Sequence, residues 1–312
     1  MSPPNRWLTA LARAALWSLG SLPLSALQRL GSLLAWASSG LHSREARVAK
    51  INLGLCFADL DAPARARLHA ASLRHTACAV LECARIWSRP AARTQRWIVE
   101  VNGRELLDAA RAGGRGVIVA APHLGNWELF GHYLAGCGPL SIVYREPQWG
   151  PAGDILLRGR GGGSVEQLPA QPSSVRRMLR ALKEGRILGI LPDQQPKVGE
   201  GEFAPFFARP ALTMTLLSRL AARAGVSVVF GVARRLPDAR GFAVHFLPAP
   251  AGIDDSDPEV ACAALNAGVE ACVALAPEQY QWTYKRFSRA APGQSNPYRR
   301  RHAAGPGTSG PA

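Results

Sequence analysis

Pro122-His123-Leu124-Gly125-Asn126-Trp127-Glu128 follows an apolar run at 117–121 and sets an imidazole and a carboxylate five positions apart. Histidine is the side chain whose ordinary pKa best suits a general base near neutral pH. A carboxylate beside it fixes its tautomer and steadies the imidazolium formed when it takes a proton. His123 and Glu128 are therefore candidate catalytic residues for acyl transfer. Their spacing limits the geometry, because on one regular helix five residues turn through about 500° and leave two side chains about 140° apart. The pattern predicts His123 in a turn at a strand end, Glu128 in the first turns of the following helix, and Asn126 as the N-cap. The backbone amides of Gly125 and Asn126, at that helix start, are the nearest candidates to hold a tetrahedral oxyanion. A purely structural turn histidine fits the same seven residues, so the rest of the chain must decide.

Three further polar clusters fall at strand ends or in loops. Val143-Tyr144-Arg145 closes one apolar run, and Gly159-Arg160-Gly161-Gly162-Gly163 places an arginine in a loop where backbone can approach a ligand closely. Pro192-Asp193-Gln194-Gln195 puts a carboxylate and two amides just past another buried-type run. Arg145, Arg160 and Asp193 are thus candidates for substrate binding or site support, since arginine suits planar, bidentate recognition of phosphate or carboxylate. Each has a plain alternative: Arg145 pairing with Glu146, the glycines as a linker, Asp193 capping a turn. Their shared place at carboxyl ends of strands favours one crevice. The chain lacks a P-loop, a dinucleotide fingerprint and a Gly-x-Ser-x-Gly elbow, which argues against nucleotide binding and serine hydrolysis. No metal-ligand spacing stands out.

These clusters need elements to carry them. Apolar runs at 116–121, 140–144, 187–191, 226–232 and 242–247 predict strands, the last two joined as a hairpin through Pro237-Asp238-Ala239-Arg240-Gly241. Helical periodicity predicts helices at 127–135, 173–184, 212–224 and 258–276, and packing helices between 43 and 93. Alternating strands and helices imply an α/β fold with a mostly parallel central sheet flanked by helices. We read three parts: an N-terminal membrane-associating helical segment at 1–40, a catalytic domain at 41–290, and a disordered basic tail at 291–312.

At 312 residues and 47% hydrophobic, the chain can build a sizeable core. Its 37 basic against 22 acidic side chains leave a net charge of +15, which suits an anionic membrane, a phosphorylated lipid, an acidic carrier protein or nucleic acid. Without a zinc-finger spacing, an aromatic RNA-binding motif or a helix-turn-helix signal, nucleic acid ranks lower. The six cysteines form no C-x-x-C pair and read as reduced core residues, as in a body facing the cytosol. Residues 7–37 are apolar, but Arg13, Pro23 and Arg29 interrupt them. Two short amphipathic helices at the interface, with Trp7, Trp17 and Trp36 at headgroup level, fit as well as one span; a signal peptide or a core helix pair are the alternatives.

Several motifs, taken in order, resemble one family. Asn52-Leu53 and Cys56-Phe57, Pro122-His123 with Glu128, Val143-Tyr144-Arg145, Gly159-Arg160, Leu182-Lys183-Glu184-Gly185, Pro192-Asp193, Pro205-Phe206-Phe207 and the stretch from Gln279-Tyr280-Gln281-Trp282 to Lys285-Arg286-Phe287 are similar to the late acyltransferases of lipid A biosynthesis. The resemblance implies a glycerolipid-acyltransferase-like fold with a His-x-x-x-x-Asp/Glu signature, on the cytoplasmic face of the bacterial inner membrane. It implies transfer of a fatty acyl group from acyl carrier protein to a hydroxyl of a hydroxyacyl chain on a Kdo-bearing lipid A precursor. The carrier thioester would be the donor, with no other cofactor; His123 would be the base and Glu128 its partner. The chain departs from some relatives at Gln194-Gln195, so the carry-over there stops at Asp193. Two competitors are an acyltransferase acting on another glycolipid or a lysophospholipid, and a basic membrane-binding module without chemistry.

Overall fold

In a computed structural model, residues 6–40, 43–144, 159–160 and 165–299 are described. Strands β1 (Ile98–Asn102), β2 (Val117–Ala120), β3 (Leu140–Tyr144), β4 (Val165–Pro169), β5 (Ile187–Ile190), β8 (Val228–Arg235) and β9 (Phe242–Pro248) form one sheet, ordered β1-β9-β8-β2-β5-β3-β4. Strands β2, β3, β4, β5 and β8 run parallel, whereas β9 is antiparallel to β8 and carries β1 with it. The sheet is therefore mixed and mostly parallel. A separate hairpin pairs β6 (Gly201–Phe206) with β7 (Arg209–Met214).

The helices are α1 (Arg6–Leu19), α2 (Leu24–Gly40), α3 (Arg44–Cys56), α4 (Ala62–Ser88), α5 (Ala91–Thr94), α6 (Arg104–Arg111), α7 (Trp127–Cys137), α8 (Val175–Lys183), α9 (Leu216–Ala224) and α10 (Pro258–Leu275). Their starts follow local chemistry. Ser43, Asp61, Asn126 and Asp257 cap α3, α4, α7 and α10, each side chain accepting from an early backbone N–H that has no partner within the helix. Alternation along β2 divides the core: Val117 and Val119 pack with Leu129, Phe130 and Leu134 of α7, while Ile118 and Ala120 face Met178, Leu220 and Leu265 across the sheet. Residues of β2 and β5 are all buried, as expected of central parallel strands covered on both faces.

The five sequence-predicted strands are present. The sequence reading missed β1 and β4, the two edge strands, whose partly exposed polar residues weaken the apolar signal. It also extended a helix over 212–214, where Leu212 pairs with Phe203 as part of β7; cross-strand pairing overrides local periodicity there.

The apolar N-terminal stretch is a helix pair, α1 and α2, bent by 112° between them. The pair docks on α4, where a Cβ at Gly31 would meet the Cys78 backbone at 2.9 Å. By length and composition alone, α10 is apolar enough to cross a membrane, yet it packs half buried in the core, against the sheet. At the other end, the tail expected to be disordered from 291 returns to the core: Tyr298 is buried, its hydroxyl donates to Asn52 Oδ1 and accepts from the Phe287 amide. Residues 300–312 lie outside the described residues.

Candidate active site

Parallel pairing of β2 with β5 aligns Ala120 with Ile190. Three residues beyond each lie His123 and Asp193, so the register of two adjacent strands delivers both side chains to one strand-end crevice. Asp193 Oδ1 accepts from His123 Nδ1 at 2.8 Å and Oδ2 accepts from the His123 backbone N–H at 2.9 Å. Burial opposes charge on Asp193, but the imidazole and these two hydrogen bonds outweigh it and hold the carboxyl below its usual range. The Tyr280 phenol is buried; burial first, and the charge of the Asp193 carboxylate second, suppress its acidity. Because the carboxylate only accepts, the neutral imidazole carries its proton on Nδ1 and keeps its lone pair on Nε2. The Gln194 amide nitrogen lies 3.3 Å from Nε2, and Trp127 meets the ring edge-on at 5.0 Å between centroids.

The carboxylate on the imidazole is thus Asp193 and not Glu128, the partner expected from the sequence. Glu128 sits in the first turn of α7, as expected, but its carboxylate is engaged by Arg160: Nη2 reaches Oε1 at 2.5 Å and Nε reaches Oε2 at 3.0 Å. Trp87 Nε1 donates to Oε2 at 3.2 Å. Burial again opposes the charge, and Arg160 together with Trp87 overcomes it, holding the Glu128 carboxyl below its usual range. Arg160 thus pairs with Glu128 and not with Asp193. The adjacent Gly159 is held by His132, whose Nε2 bonds the Gly159 carbonyl at 2.8 Å while Thr94 bonds Nδ1 at 3.0 Å. Gly159 is required there, since a Cβ would meet the Trp87 side chain at 2.7 Å. Arg145 and the glycines 161–163 lie outside the described residues.

The His123 turn is clamped from both sides. The Gly125 amide donates to the Gln279 carbonyl at 3.1 Å, the Asn126 amide to the Ala233 carbonyl at 2.9 Å, and Gln281 N–H to the His123 carbonyl at 2.9 Å. Gly125 has φ +63°, and a Cβ would meet the Ala233 carbonyl oxygen at 2.0 Å, so only glycine fits. The same bonds occupy both amides proposed from sequence as oxyanion donors; the turn uses them to hold its own shape.

Beneath the turn lies a buried ionic cluster the sequence reading missed. Glu82 Oε1 accepts from Arg235 Nε at 2.7 Å and Gln28 Nε2 at 3.0 Å, while Oε2 accepts from Arg235 Nη2 at 2.5 Å and the N-cap Asn126 Nδ2 at 2.9 Å. Arg235 further bonds His75 Nδ1 at 3.0 Å. Burial, then the charges of Arg235 and Arg74, push His75 down to about 3. The signal was present in α4: His75, Cys78, Glu82 and Ile86 recur at helical spacing on one buried face, and a glutamate in such a stripe announces a buried partner.

Beside the crevice, an apolar pocket lies between α7 and the sheet. Ala121 and Leu191 stand at its strand-end side, Glu128 and Arg160 on its polar edge, and Phe130, Leu140 and Val165 along its walls. His123 does not line it, but Trp127, which touches the His123 ring, does. From Val143 to Leu140 it follows three residue steps of β3, about 10 Å of strand.

A strand-end histidine held by a carboxylate, next to an elongated apolar cavity, fits transfer of a hydrophobic group. Comparison with known proteins decides the family: residues 1–289 match the family described as bacterial lipid A biosynthesis acyltransferase. The chain belongs to that family. This acyltransferase is 31% identical over 301 residues to the lipid A biosynthesis lauroyltransferase of Escherichia coli K12, covering 95% of this chain and 96% of the relative. It is 30% identical over 299 residues to the palmitoleoyltransferase of the same organism, 95% of each chain, and 25% identical over 307 residues to its myristoyltransferase, 96% and 92%. The match spans the N-terminal helix pair as well as the crevice. Among the described residues, no group of three His, Cys, Asp or Glu side chains is arranged to hold a metal ion.

Proposed function

We propose that this acyltransferase moves a fatty acyl group from acyl carrier protein to a hydroxyl of a hydroxyacyl chain on a Kdo-bearing lipid A precursor, at the cytoplasmic face of the bacterial inner membrane. The observation that carries the chemistry is the hydrogen bond from His123 Nδ1 to Asp193, which leaves Nε2 as an acceptor beside an apolar cavity. His123 Nε2 takes the proton of the acceptor hydroxyl as its oxygen attacks the thioester carbonyl. Asp193 steadies the imidazolium, help typically worth about 10²- to 10⁴-fold. The tetrahedral intermediate collapses with loss of the carrier thiolate, which recovers the proton from His123. Carbon–oxygen replaces carbon–sulfur and no other reactant is needed.

In this reading Glu128 acts through Arg160, the pair holding the polar edge of the cavity in which the acyl chain lies. The relatives differ in the acyl group their names print, lauroyl, palmitoleoyl and myristoyl, and cavity depth offers a physical basis for such differences. The helix pair rests on the lipid headgroups: Trp7 and Trp36 are 81% and 75% exposed, Leu11, Trp17 and Leu33 are exposed, and Arg13 and Arg29 are exposed as well. Purified protein given acyl carrier protein loaded with fatty acids of different length and a Kdo-bearing precursor should add one acyl chain to the precursor, read by mass spectrometry. Acylation of a lysophospholipid or of a Kdo-free glycolipid in its place would overturn the acceptor assignment.

A further inference from the structure

The amides of Gly125 and Asn126 are engaged by the Gln279 and Ala233 carbonyls, so the oxyanion of the tetrahedral intermediate needs another donor. Among the described residues, one polar side chain stands at the reacting nitrogen. Gln194 places its amide nitrogen 3.3 Å from His123 Nε2. The orientation of that amide follows from its surroundings: with the Nδ1 proton directed at Asp193, Nε2 presents a lone pair, which takes a hydrogen from the amide NH₂ and not the amide oxygen. Gln194 is anchored by its neighbours on both sides. Asp193 holds His123, and Gln195 is tied by its backbone N–H to the Tyr284 hydroxyl at 2.9 Å and by its side-chain amide to the Arg286 carbonyl at 2.7 Å. The backbone at 193–195 is therefore fixed while the Gln194 side chain, half-buried, reaches into the crevice.

We propose that Gln194 is a catalytic residue whose side-chain amide donates a hydrogen bond to the oxyanion. Without substrate it stands on the nitrogen that will receive the proton. When the acceptor hydroxyl occupies that position, the amide turns from the lone pair of Nε2 to the thioester carbonyl oxygen. That oxygen becomes negative as the new carbon–oxygen bond forms and returns to a carbonyl as the carbon–sulfur bond breaks. The group that marks the empty base thus serves the charge developing next to it.

This rests on His123 being the base, and the test separates the two. Steady-state rates for transfer from acyl carrier protein to the Kdo-bearing precursor are measured for wild type, Gln194→Ala, Gln194→Asn, Gln194→Glu and His123→Ala, with thermal melts to establish folding. Loss of one oxyanion donor typically lowers kcat by about 10²- to 10³-fold. Gln194→Ala should fall in that range with KM for both substrates within a few-fold of wild type. Gln194→Asn should retain part of the activity, its amide being one methylene short. Gln194→Glu, of the same shape but acceptor-only and negative, should be at least as impaired as Gln194→Ala. A folded Gln194→Ala variant as active as wild type, with His123→Ala inactive, would overturn the oxyanion role alone. So would a Gln194→Glu variant with wild-type kcat. Near wild-type transfer by His123→Ala would overturn the base assignment on which both proposals stand.

Discussion

Replacing Asp193 by Asn tests the pairing that the structure puts in place of the expected one. The buried carboxylate accepts from His123 twice, Nδ1 at 2.8 Å and the backbone N–H at 2.9 Å. An asparagine has one oxygen, so it can satisfy one of those donors and must turn its NH₂ toward the other. The charge is lost as well. Unit charges 4 Å apart attract by about 4 kcal/mol at the effective dielectric suited to partly buried pairs, and at the shorter distance here by about 6, an upper bound. Most of that attraction is realised only when His123 carries the proton, that is, in the transition state. A loss of 4–5 kcal/mol corresponds to about a 10³- to 10⁴-fold fall in kcat. Asp193 faces the imidazole rather than the crevice mouth, so KM should change little. Initial-rate kinetics with purified Asp193→Asn, checked for folding by circular dichroism, measures both quantities. A folded Asp193→Asn variant within tenfold of the wild-type kcat would refute the argument that this carboxylate supports the base.

Three further outcomes follow from the same geometry. Glu128→Ala and Arg160→Ala each leave a buried charge without its partner, a loss of about 3–5 kcal/mol, so the double variant should be much less destabilised than the sum of the two; additive urea-unfolding energies would remove the ion pair from the account. Gly131 lines the pocket and a Cβ there meets nothing within 4 Å, so Gly131→Leu should shift the preferred donor toward shorter acyl chains without loss of thermal stability; an unchanged chain-length profile would place the chain elsewhere. Burial and Arg235 push His75 down to about 3, far below its unfolded value of about 6.5. The folded state therefore resists protonation: the contribution is fully present above about pH 6.5 and is lost as pH falls toward 3, by roughly 1.4 kcal/mol per pH unit. His75→Gln should flatten the pH dependence of urea stability between about pH 6 and 4, and an unchanged slope would show that another group titrates.

Much of the site was legible residue by residue, and its pairings were not. The turn holding His123, the Asn126 cap and the position of Glu128 in the first turn of α7 follow from local spacing alone, because the 140° offset rules out one continuous helix. The partner of His123 depends on the β2–β5 register, which brings together residues 70 apart in the chain, and no local pattern records it. Arg160 was identifiable as an arginine in a glycine loop, yet its choice of Glu128 over Asp193 comes from α7 turning Glu128 toward Trp87 and that loop. The amides of Gly125 and Asn126 looked available because sequence does not show the carbonyls of Gln279 and Ala233 packed against them. Tyr298 shows the same limit: proline, glycine and serine around it read as tail, while its hydroxyl finds Asn52 on α3.

The most direct test of the central claim is mass spectrometry of lipid A from a strain lacking this protein, complemented with wild type or with His123→Ala. The wild-type gene should restore one secondary acyl chain on the hydroxyacyl-bearing precursor, and His123→Ala, present in the membrane at equal amount, should leave the under-acylated species. Restoration of that chain by His123→Ala, or a lipid A profile unchanged by loss of the protein, would contradict the account.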